Sequence, residues 1–415
     1  MPERVFRLSQ DYPRALPPLE PAVQRILAID YQKDWRGYMD ATLAYILAGN
    51  IENRALQNSF FLEDNPVRRW YHVPWQQWGD NGREGLHGMT AEGPVNPGVL
   101  GPQQKTQWQT YAVGFYNPRG GFSIGQVWAD ADNPRIDALA RSGGFPVGTV
   151  VAKLLFTTAP VSEAPFLSNP IEWQAYIKAG FNPPGPTGLP INPRHVDTVR
   201  LIQVDMMVRD NRANATGGWV FGTWIYNGLQ AKDRTPGQNF DNRWRNLVPL
   251  GLQWGNDPGV TSIPGGNPVP VKTLTNPDLK ETVINPDAAL PPMHLGYGLR
   301  LSGAVDNTAS SCKSCHSAAQ FPSVSPILPF MQARKGKPLT PQDPEWQRWF
   351  RDLPVNQSFD ANTASMDNSL QLAASIQNFL VAKNIREGGL YDVQYWRGQR
   401  VHAISGQRGS TPPAN

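Results

Sequence analysis

The chain has 415 residues, 40% hydrophobic and only 17% charged, with a net charge of +4, 40 Pro, 38 Gly and 14 Trp. That length leaves room for two or three domains around a sizeable core. Its charge is modest and Lys/Arg nowhere cluster, which excludes a nucleic-acid-binding stripe, and no run of about 18 apolar residues is present to cross a membrane.

Residues 1–30 carry Pro2, Pro13, Pro17, Pro18 and Pro21 and no continuous apolar segment, so no secretory signal is visible. Residues 20–50 read as helical. Asp34 caps a helix whose apolar face is Trp35, Tyr38, Met39, Leu43, Ile46 and Leu47, and Gly49-Asn50 stops it. Next comes the densest polar–aromatic cluster, Trp70-Tyr71-His72-Val73-Pro74-Trp75-Gln76-Gln77-Trp78, followed by Gly82-Arg83-Glu84-Gly85-Leu86-His87-Gly88. Its two His, Glu84 and Arg83 are candidates to move protons or hold an anion. The plainer alternative is a loop whose Trp pack on a sheet and whose charges are solvated.

From about 105 to 255 the pattern turns to strands. Thr110–Tyr116 and Phe122–Trp128 flank Asn117-Pro118-Arg119-Gly120-Gly121, a hairpin signal. Gly148–Thr157, Thr198–Arg209 and the aromatic/small alternation of Gly217–Tyr226 continue the series. Such closely spaced runs predict an antiparallel sandwich or barrel. Two short helices are expected within it, near Pro134–Arg141 and Ile171–Ala179. Arg209-Asp210-Asn211-Arg212 reads as a turn, where an Arg could pair with an anionic group.

Residues 256–310 are a long Gly/Pro/Asn-rich stretch that leads into Cys312-Lys313-Ser314-Cys315-His316. These five residues hold both cysteines of the chain, and Cys-x-x-Cys-His is the attachment signal for c-type haem. The thiols add across the haem vinyl groups, and His316 supplies the proximal nitrogen to iron. A structural zinc site wants about four ligands, and there is no second Cys pair. A thioredoxin-like redox pair wants a strand before it and a helix after it. Lys313 is expected to face solvent at the haem edge. The 256–310 stretch is expected to wrap the haem. Beyond the motif, Pro344–Leu353 and Asn368–Lys383 read as helices, and the tail from about 404 is polar.

The iron's sixth position decides between an electron carrier, whose second ligand sets the potential, and an open site for small molecules. Met366, just before the last helix, Met331 in a Pro-rich stretch, and His294 ahead of the motif are the candidate sixth ligands. For each, the alternative is a packed Met or a hydrogen-bonded His.

The segment from Cys312 to about Lys383 resembles a class I cytochrome c in its order of motif, loops and terminal helix. A second resemblance covers about 145–320. Phe145-Pro146-Val147-Gly148-Thr149-Val150, Gly217-Gly218-Trp219-Val220-Phe221 and the haem motif are similar in kind and order to the cytochrome c-prime-beta family and its lysine–haem cross-linked relatives. That resemblance implies a mainly β, dimeric haem protein with a His proximal ligand, whose relatives bind small gases or oxidise small nitrogen compounds. The departures are a longer gap between the Gly-Gly-Trp strand and the motif, and a longer chain after it. No position is matched to the relatives' cross-linking lysine.

The expectation is an α+β protein. A helical and Trp-rich region (1–104) precedes an antiparallel β domain (105–255), a wrap with a c-type haem region (256–403), and a tail (404–415). One covalent haem c is the expected cofactor, bound by Cys312, Cys315 and His316. The expected function is haem-iron redox chemistry. Electron transfer is the first reading, and an open-site enzyme or binder of peroxide, NO or hydroxylamine-like molecules is the second. The expected partners are a redox protein or a small ligand, with a homodimer as one assembly. A periplasmic location follows from where c-type haem is attached, the chain then being a mature form with an added Met1. No phosphate loop, serine elbow, zinc helix or calcium loop is visible.

Overall fold

The computed structural model describes residues 4–7, 10–77, 83–178, 194–229, 242–261, 268–278 and 295–386. Helices α1 (Pro21–Ala28), α2 (Trp35–Leu47) and α3 (Arg54–Ser59) come first, then strands β1 (Thr90–Val95) and β2 (Trp108–Tyr116). Helices α4 (Pro118–Val127) and α5 (Ala138–Ser142) lead to β3 (Val150–Thr157), β4 (Glu172–Lys178), β5 (Arg194–Arg209), β6 (Trp219–Tyr226), β7 (Leu247–Gln253) and β8 (Thr273–Thr275). Helices α6 (Cys312–Ser317) and α7 (Leu370–Arg386) follow, with two small antiparallel pairs of two-residue strands between them. The result is an α+β, β-rich fold. One antiparallel sheet runs β1-β2-β3-β5-β6-β7-β8, with β4 paired to the first half of the long β5.

Period-two alternation gives the sheet two different faces. On one, Val113, Phe115, Leu154, Val204, Met206 and Trp224 join the largest core, with Val23 and Ile26 of α1 and Tyr38, Met39 and Ile46 of α2. On the other, the cross-strand row Tyr116–Val151–Met207–Phe221 packs with Ile124 and Val127 of α4 and Leu372, Ile376 and Phe379 of α7. Two residues further along the strands, about 7 Å away, the same face carries Gly114, Lys153, Asp205 and Thr223.

Helix α2 forms where the sequence placed it, with Asp34 Oδ1 accepting from Gly37 N at 2.9 Å and Gly49 at φ +93°. The predicted hairpin at Asn117–Gly121 is corrected. Asn117 is an N-cap whose Oδ1 accepts from Gly120 N at 3.1 Å, Pro118 opens α4, and Phe122–Val127 is helical. The glycines serve packing, because a Cβ at Gly121 would fall 2.5 Å from the Tyr71 ring. The predicted helix at Ile171–Ala179 is also corrected, with Ala179 itself outside the described residues. Trp173, Ala175 and Ile177 alternate inward along β4, a period of two that outweighs helical propensity. The helix near Pro134–Arg141 is reduced to the short α5, and Pro344–Phe350 forms the tighter 3-10 helix.

The approach to the motif is fastened by Arg300, which is fully buried. Its guanidinium donates to the carbonyls of Asn256 (2.5 Å), Tyr297 (2.7 Å), Asp257 (2.8 Å) and Val260 (2.8 Å).

Candidate functional site

The motif lies on α6, a helix with a reciprocal cap. Ser311 Oγ accepts from Ser314 N at 3.1 Å, and Ser314 Oγ accepts from Ser311 N at 2.8 Å. On a helix, residues three apart share a face. Cys312 and Cys315 therefore turn together, with His316, into a cavity floored by the second sheet face. The cavity measures about 140 Å³.

His316 Nδ1 lies 2.7 Å from the carbonyl oxygen of Asn368. A carbonyl can only accept, so Nδ1 carries the proton and Nε2 keeps its lone pair for a metal. Burial holds the imidazole at about 4, against the opposing pull of that carbonyl. The Phe221 ring stands 5.1 Å from the His316 ring, centroid to centroid. Asp367 and Asn368, both left-handed at φ +46° and +65°, aim the carbonyl. Asp367 is fixed in turn by accepting from Phe145 N (2.6 Å) and Trp219 Nε1 (3.2 Å).

The cysteines are free, and burial pushes Cys315 up to about 12 and Cys312 well above its usual range. Burial therefore favours the thiol form of both. Among the described residues no group of three or more His, Cys, Asp or Glu gathers to hold a metal ion.

Beside the apolar row, on the same sheet face, the cavity wall is charged. Lys153 Nζ is 3.2 Å from Asp205, which also accepts from Thr223 Oγ1 (2.5 Å) and Gln203 Nε2 (2.8 Å), while Glu92 and Asp306 line the same space. Burial draws the Lys153 ammonium down, but Asp205, Glu92 and Asp306 together hold it above its ordinary value. Burial pushes Glu92 up to about 7, with Lys153 opposing and the neighbouring carboxylates adding. None of these four was singled out from sequence. The available signal was the alternation of β5, which sets Asp205 and Met207 on one face. Met206 and Met207 both line the cavity; Met207 shares the strand face of Asp205, whereas Met206 packs its Cε against Gly222 on the other face.

Two of the three named sixth-ligand candidates, Met366 and Met331, fall within the described residues. Met366 is fully buried among Tyr116, Phe221 and Ile376, with its N–H on Ala319 O at 2.9 Å. Met331 is half-buried at the end of a short 3-10 turn. Neither is among the residues lining the cavity. His294 lies outside the described residues, as does the tail from 404. Lys313 corrects another expectation. It is 1% exposed, with Nζ donating to Asn368 Oδ1 at 2.8 Å.

The Trp70–His87 cluster is built into the core, although Trp78 and Gly82 lie outside the described residues. Glu84 is buried and accepts from Leu86 N (2.6 Å), His87 N (2.5 Å) and Tyr176 N (3.0 Å), which ties the loop to β4. Arg83 donates to the Val73 carbonyl. His87 stacks between Phe61 and Trp173, at 5.4 and 4.4 Å. Arg209 gives its guanidinium to Gly218 O and Asn214 Oδ1, both at 2.9 Å, and so holds the turn before β6. No family model, curated protein or solved structure matches this chain.

Proposed function

We propose that the chain is a haem-iron redox protein that carries one c-type haem on Cys312 and Cys315, with His316 as proximal ligand and a polar wall facing small molecules that approach the iron. The observation that carries this reading is the convergence of both thiols and His316 on one cavity, with Nδ1 committed to Asn368 and Nε2 left free. The donor set fits a covalent haem: two unpaired, protonated cysteines on one helical face and a neutral imidazole with a fixed tautomer. When bound, the haem supplies one-electron iron chemistry and a coordination position.

The chain's own residues then divide the work. Tyr116, Val151 and Phe221 exclude water on the apolar side. Glu92, pushed up to about 7, can hold or release a proton near neutrality, and Lys153 offers a fixed positive charge to an anionic or polar ligand. That wall favours an open-site binder or oxidoreductase. Electron transfer is the second reading, supported by Met207, a thioether at the cavity available as a sixth ligand. Covalent haem also implies a periplasmic location and a redox partner protein.

Full-length protein made in a host that matures c-type cytochromes tests this. The denatured chain should keep its haem on a gel, and Cys312→Ala should lose the normal two-thioether absorption spectrum. Reduced wild type should bind CO rapidly. A low-spin spectrum unmoved by CO, but opened by Met207→Ala, would replace the open-site reading with the electron-transfer one.

A further inference from the structure

Lys313 sits in the motif but turns away from the cavity. An ammonium buried with one amide acceptor is costly, and a Met of similar length would avoid that cost. What the charge touches suggests its use. Its Nζ donates to the side chain of Asn368 at 2.8 Å, and the backbone carbonyl of that same Asn368 takes the Nδ1–H of His316 at 2.7 Å. Nζ also lies 5.6 Å from the centroid of Phe221, the ring beside His316. Gly217, at φ +102°, leaves the room, since a Cβ there would sit 2.4 Å from Nζ. Asp367, Asp352 and Arg209 are the other charges whose fields reach the ammonium. Asp367 spends its hydrogen bonds on Phe145 and Trp219.

We infer that Lys313 is a positioning residue that sets the iron's potential: its charge, held against Asn368, limits the electron-donating pull on the His316 Nδ1–H and favours the reduced iron. This rests on the haem reading above. A cation near the ligand opposes the extra positive charge of the ferric state, and a weaker acceptor makes the imidazole a weaker donor, so both effects act in the same direction.

The test is redox titration of the haem-loaded full chain. Lys313→Met should shift the ferric/ferrous equilibrium about tenfold toward ferric, or about 59 mV for a one-electron couple. Lys313→Arg, which keeps the charge, should restore most of it. Asn368→Asp, which neutralises the cation in place, should shift the same way and decides the matter if Lys313→Met does not fold. Haem attached with wild-type absorption and a potential unmoved in whichever of these two variants folds overturns the inference. A wild-type chain that takes up no haem overturns the function proposed above as well, and is seen before any variant is made.

Discussion

At the residue scale, Glu92 gives the plainest pH signature. Its folded value of about 7 is raised above the ordinary 4.5, mainly by burial. The folded state therefore binds its proton more tightly than the unfolded chain does. That stabilisation is fully present below pH 4.5 and is lost as pH rises through about 7. Glu92→Gln should flatten the fall in stability over this window, as read by urea unfolding at pH 5 and pH 7. An unchanged slope would assign the pH dependence to other groups. The same scale shows what the sequence could and could not reveal. Cys312, Cys315 and His316 are adjacent in sequence, so the haem attachment proposed for them can be read as a string. Lys313 reads as a surface charge until its acceptor, 55 residues away, is placed beside it. The wall of Lys153, Asp205 and Glu92 comes from three strands, and only their pairing register assembles it.

At the element scale, local signals succeeded where cap and periodicity agreed, as in α2. They failed where one residue type serves two purposes. Asn-Pro followed by Gly-Gly marks a turn in many hairpins, but here Asn117 caps α4 and the glycines admit Tyr71 and Tyr116. In β4, seven residues are too few for helical and strand periods to be told apart without the neighbouring strand. The approach to α6 is an irregular segment made rigid by one side chain. Arg300→Met leaves four carbonyl groups without their donor and should cost about 3 kcal/mol or more. Chemical denaturation should show the loss, and limited proteolysis should show new cleavage near 295–300. Retained stability would show that water replaces the guanidinium.

At the scale of the whole molecule, the haem-motif region borrows its floor. Small cytochromes close a core around their own helices. Here Tyr116, Val151, Met207 and Phe221 of the sheet supply the apolar surface on which α7 and α6 rest. A fragment spanning residues 295–386 should therefore lack cooperative thermal unfolding, whereas the full chain should show it, as measured by calorimetry. A sharp transition in the fragment would mark an autonomous domain.

The burial of α6 also bears on timing. Cys312 packs against both of the larger cores, and Lys313, Ser314 and Ser317 are covered beneath it. On the haem reading proposed above, a maturation enzyme would have to reach both sulfur atoms and the ring edge at once, which a closed sheet and α7 obstruct. Covalent loading should therefore precede closure, with the cofactor acting as a template around which residues far apart in the chain condense. Apoprotein allowed to fold first should accept haem slowly, and briefly unfolding it in the presence of the attachment machinery should restore the rate.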